Sequence, residues 1–143
     1  MLLSNFGESL TTIMFDRKIT SQKLALDLGV TVVCVNRWKT NKKDIGLSKL
    51  ISLCQYFTCS LDYLVGKSEN TTRPNNFVLE NFGTQVRNIM QERGISTYQL
   101  RKDTRYDGAY FYAWDKGSDP KLSTLIELAN YFGCSLDELV GLE

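Results

Sequence analysis

Side chains suited to covalent or metal chemistry are scarce in this chain of 143 residues, which has four cysteines and no histidine. Without histidine there is no His-based triad and no mixed zinc site, and Cys34, Cys54, Cys59 and Cys134 form no CxxC pair. No stretch carries paired carboxylates, a ligand cluster or a phosphate loop at the spacing such chemistry needs. An enzyme is not expected, and no metal or cofactor is implied. The cysteines read as reduced small hydrophobes of an intracellular protein, with Cys34 the least obviously buried of the four. What remains is polar and aromatic surface chemistry. Arg37 is followed by Lys39, Lys42 and Lys43, and much later Tyr106, Tyr110, Phe111, Tyr112 and Trp114 crowd into nine positions.

These two clusters fall in matching parts of an internal repeat. Residues 2–66 recur as 78–141, one loop residue shorter, and about 25 of roughly 64 aligned positions are identical. The chain therefore holds two copies of one small fold: residues 1–66, a polar linker over 67–76 with no apolar residue, and residues 77–143. Shared positions report that fold, and divergent ones report function. Charge diverges: the first copy has eight Lys/Arg against five Asp/Glu, and the second has seven against ten. A basic copy and an acidic copy are thus joined in one nearly neutral chain, at a formal net charge of +1.

Periodicity supplies the elements that hold these residues. Phe6, Leu10, Ile13 and Met14 form an i, i+4, i+7, i+8 stripe, repeated by Phe82, Val86, Ile89 and Met90, so each copy opens with an amphipathic helix. Thr20 and Ser96 cap a second helix, and Ser96 with Gln99 fits a capping box. Gly29 suits a left-handed turn before Thr31, which caps a third helix through Trp38; Asp107 is the matching cap. A fourth helix buries Leu50, Ile51, Leu53, Cys54 and Phe57, and Ser60 or Ser135 caps a short fifth. Five helices, twice, predict an all-α protein. Apolar runs are too short for a membrane span and the start lacks signal-peptide character, so a cytoplasmic protein is expected.

Ile19-Thr20 to Leu24-Ala25, Leu28-Gly29-Val30-Thr31, Val35 to Trp38, and the leucine-rich fourth helix ending in Cys59-Ser60-Leu61-Asp62 together resemble the lambda-repressor-like helix-turn-helix family. That family is also called Cro/CI or XRE. The resemblance implies a bacterial or phage-type transcriptional regulator that binds double-stranded DNA as a homodimer, expected to be a repressor. It implies that the third helix enters the major groove while the second crosses the backbone. The matching base-reading positions are Thr31, Val32, Val33, Asn36 and Arg37: arginine suits a guanine edge, asparagine an adenine, and valine a thymine methyl. Thr20, Ser21 and Gln22, with Lys39, Lys42 and Lys43, match the phosphate-facing positions. Ser21 stands where many members carry glutamine, which shortens that contact.

The second copy departs from this pattern. Gly108, Ala109, Tyr112 and Ala113 fill the groove-facing slots, Arg101 replaces Ala25, and Arg105 replaces Gly29, so the turn must be rebuilt. Phe111 and Trp114 match core positions, leaving Tyr106, Tyr110 and Tyr112 as a candidate interface. Three readings follow. In the first, copy one binds DNA and copy two supplies a dimer or protein-partner interface. In the second, both copies contact DNA as a covalent pseudo-dimer, motivated by Arg101, Lys102 and Arg105. In the third, the chain is a protein-binding adaptor, an anti-repressor or antitoxin-like partner, motivated by the acidic and tyrosine-rich second copy.

Overall fold

A computed structural model describes residues 4–68, 79 and 81–142. Ten helices and no strand occur among these residues: α1 (Ser4–Asp16), α2 (Ser21–Leu28), α3 (Val32–Lys39), α4 (Leu47–Phe57), α5 (Leu61–Leu64), α6 (Phe82–Arg93), α7 (Thr97–Asp103), α8 (Gly108–Asp115), α9 (Leu122–Phe132) and α10 (Leu136–Val140). They build two compact units, the first on α1–α5 and the second on α6–α10. The all-α, twice-repeated architecture expected from the sequence is the one observed. Most of the expected linker, residues 69–76, lies outside the described residues; Lys67 and Ser68 fold back, their amides donating to the Asp62 carbonyl at 2.8 and 3.3 Å.

In the first unit the α1 stripe is buried, and Leu10, Leu24, Val35, Leu50, Leu53, Leu61 and Leu64 lose all solvent exposure. Helix boundaries follow local chemistry. The Thr20 hydroxyl accepts the Lys23 amide, Thr31 accepts that of Cys34, and Gly29 adopts φ 71°, ψ 31° to close α2. A side chain at that φ is strained by about 1 kcal/mol, which glycine avoids.

Three long-range links recur at equivalent positions in both units. An arginine at the end of the first helix (Arg17, Arg93) donates to the last carbonyl of the fourth (Phe57, Phe132). A tyrosine of the fourth helix (Tyr56, Tyr131) donates to an aspartate of the second (Asp27, Asp103). A polar side chain of the first helix (Ser9, Gln85) donates to a carbonyl of the fifth (Tyr63, Glu138). Since both copies keep them, these bonds belong to the scaffold.

The second unit rebuilds its α7–α8 turn as expected, without a left-handed residue at Arg105. Helix α7 ends at Asp103, and Thr104 takes an extended conformation, φ −134°, ψ −179°, its hydroxyl donating to the Leu100 carbonyl and accepting the Tyr106 amide. The reciprocal half of the Ser96–Gln99 capping box is replaced. Ser96 accepts the Gln99 amide, but the Gln99 side chain donates to Asp103 one turn on, at 2.6 Å.

Candidate nucleic-acid interface

Val35 and Trp38, one turn apart, anchor α3 in the core at 0% and 2% exposure. At 3.6 residues per turn that burial rotates Val33, Asn36 and Arg37 outward together. Thr31, Val33, Asn36 and Arg37 are exposed, and Val32 is half-buried. The two valines differ accordingly: Val33 offers an uncovered apolar surface at 58% exposure. Arg37 has no ion pair among the described residues. Asp27, an acid that could pair with it, is held by Lys23 at 3.1 Å and by the Tyr56 hydroxyl. The Tyr56 bond, then Lys23, keeps the Asp27 carboxyl below its ordinary range, and Asp27 pushes Tyr56 up to about 12. The guanidinium of Arg37 is thereby left available.

The backbone-facing residues separate into two kinds. Thr20 is committed to capping α2, while Gln22, Lys42 and Lys43 are exposed. Lys39 reaches back across the motif: its ammonium donates to the Ser21 hydroxyl at 3.1 Å, joining the end of α3 to the start of α2. That union of residues 18 apart has no periodic signature in the sequence. Lys43 leans over α3, with its ammonium 4.0 Å from the Cys34 sulfur.

Two positioning residues were absent from the sequence reading. Gly7 lies against the C-terminal end of α3: a Cβ there would stand 2.5 Å from the Lys39 carbonyl oxygen. Its amide donates to the Asn41 carboxamide at 2.9 Å. This seam sets how α3 leans on α1. A signal existed, since glycine recurs at the equivalent position, Gly83, in the first turn of α6.

The matching surface of the second unit has different chemistry. Asp115 takes the slot of Lys39 and pairs with both terminal nitrogens of Arg87, at 3.0 and 2.7 Å, while Arg87 also lies over the Phe111 ring at 5.0 Å. Gly108, Ala109 and Ala113 offer no side-chain hydrogen bond. Tyr112 is 67% exposed, Tyr98 62% and Tyr110 39%. Tyr106 corrects the expected interface: it is fully buried, because the extended turn swings it inward, where its hydroxyl meets Thr124 at 3.2 Å and Glu127 at 2.9 Å. Burial pushes its phenol above the usual range. Tyr110 stacks edge-on against Tyr106 at 4.8 Å and so is partly consumed by the core.

A family model of the Cro/C1-type HTH DNA-binding domain matches residues 9–66 and again residues 85–143. The chain belongs to this family and is a DNA-binding regulator built from two tandem copies. No curated protein and no solved structure matches it. Among the described residues no helix is long and apolar enough to cross a membrane, and no cluster of potential metal ligands occurs.

Proposed function

We propose that the first unit reads duplex DNA by inserting the exposed face of α3 into the major groove, and that the protein represses transcription by occupying promoter DNA. The observation that carries this reading is the rotation of α3: burial of Val35 and Trp38 turns Val33, Asn36 and an ion-pair-free Arg37 to solvent on one face. Arg37 addresses guanine, Asn36 adenine, and Val33 a thymine methyl, with Thr31 and Val32 bordering them. Ser21, Gln22, Lys39, Lys42 and Lys43 hold phosphates, Lys39 from a position braced by Ser21. Thr20 contributes by ordering the first turn of α2.

Selection of sites from a random duplex library by the full-length protein tests this. Enrichment of a palindrome supports a homodimer reading two half-sites, whereas two unlike half-sites support a covalent pseudo-dimer. Absence of any enriched sequence refutes readout by α3. A promoter fusion carrying the selected site then separates repression from activation.

A second reading, in which both units touch nucleic acid, is favoured by Arg101, Lys102 and Lys116, which have no ion pair among the described residues. Arg105, which also motivated it, is spent on Glu127 at 2.7 Å. A dimer or protein-partner interface on the second unit now rests on Tyr112 and part of Tyr110, since Tyr106 is buried.

A further inference from the structure

The two copies serve as controls for one another. Tyr98 and Tyr112 are the most exposed aromatic side chains among the described residues of the second unit, at 62% and 67%. Their counterparts in the first unit are Gln22 and Asn36, so the fold does not require an aromatic at either slot. Exposing two such rings on the surface that corresponds to the DNA-reading face proposed for the first unit demands another explanation.

Charge around these rings narrows the occupant. The second unit is acidic in total, and Asp103, Asp107 and Asp115 of α7 and α8 each have a partner within it, Asp115 through an ion pair. Asp103 accepts from Tyr131 and Gln99, Asp107 caps α8, and Asp115 is neutralised by Arg87. Arg87 is spent on Asp115, but Arg101, Lys102 and Lys116 form no ion pair among the described residues, Lys102 and Lys116 acting on Asp103 and Asp115 only at longer range. Arg101 lies over the Tyr98 ring at 5.7 Å from its centroid, and Lys116 lies over Tyr112 at 5.4 Å. A cleft of about 350 Å3 opens against Tyr112, lined also by Arg87, Thr97, Gly108, Phe111 and Asp115. Aromatic faces paired with available cations, next to a polar-rimmed cleft, suit a ligand that is planar and anionic in alternation.

We propose that this face of the second unit binds single-stranded nucleic acid, with unpaired bases stacking on Tyr98 and Tyr112 and the adjoining phosphates meeting Arg101, Lys102 and Lys116. Tyrosine stacking tolerates any base, and cations beside the rings follow the backbone. Small side chains at Gly108 and Ala109 let a flat base approach α8, where long readers would hold it off. The second unit thus contributes affinity for unpaired strands, separate from duplex readout by the first.

The test uses full-length protein and fluorescein-labelled oligothymidylate and oligouridylate, followed by anisotropy at several salt concentrations. Wild type should bind at least one of them with a clear salt dependence; thymidylate names DNA as the ligand and uridylate RNA. Tyr112→Ala should weaken binding roughly five-fold or more, and Tyr112→Phe should retain it. Tyr98→Ala provides a second reading should Tyr112→Ala fail to fold. Arg37→Ala should leave this binding intact while losing duplex specificity, so failure of the two proposals is distinguishable. The proposal is overturned by wild type binding neither oligonucleotide, which would leave a protein as the occupant, or by alanine at both tyrosines binding as wild type does.

Discussion

Arg37→Ala isolates base readout from everything else the first unit does. Arg37 is exposed and has no ion pair among the described residues, so its loss leaves no buried partner unpaired and stability should stay within about 0.5 kcal/mol of wild type. A bidentate contact to a guanine edge supplies roughly 1–3 kcal/mol of discrimination. The mutant should therefore lose about 5- to 140-fold in affinity for the selected site. Affinity for duplexes with the contacted base pair replaced should change far less, so the penalty for that one substitution collapses while penalties elsewhere in the site persist. Lys42→Ala gives the contrast: a roughly uniform loss across sequences, with the salt slope reduced by about one. Titration of both variants against the selected duplex and its single-base replacements, with thermal melts alongside, completes the measurement. Equal losses on every duplex would make Arg37 a phosphate contact, and no loss at all would refute the assigned orientation of α3.

Three further outcomes follow from the packing. Gly7→Ala should destabilise the first unit by about 1–3 kcal/mol, because the new methyl meets the Lys39 backbone 2.5 Å away and α3 must shift; a melt and a duplex titration should both register it. Tyr106→Phe should cost about 1 kcal/mol in a melt by removing a hydroxyl bonded to Thr124 and Glu127, while leaving duplex affinity unchanged. The Tyr56–Asp27 bond gives a pH signature, read by melting wild type against Tyr56→Phe. Because Asp27 is lowered in the folded state, the wild-type advantage is present above its ordinary value of 3.8 and fades as pH falls further. Because Tyr56 is raised, the advantage is present below 10.0 and is lost as pH rises toward about 12. A difference that stays constant across that whole range would mean the bond does not persist in solution.

Repeat, helix class and caps were legible in residue order because they are short-range properties. The buried stripes of α1 and α6 follow from four-residue spacing, and Thr20, Thr31, Ser60, Asp107 and Ser135 each accept an amide two or three residues on. The rebuilt turn at Arg105 was legible for the same reason, since a left-handed slot without glycine announces a local conflict. Other features depend on chain segments far apart in sequence. Tyr106, Tyr110 and Tyr112 read as one aromatic cluster, yet the extended backbone at Thr104 buries the first, while the packing of α8 through Phe111 and Trp114 leaves the second shared with the core and the third exposed. The Ser21–Lys39 link, the Gly7 seam and the capture of Asp27 by Tyr56 span 18 to 34 residues. Hydrogen-bonding capacity is a property of each residue, but which capacity is already satisfied, and therefore which side chain remains available for DNA, is a property of the packed molecule.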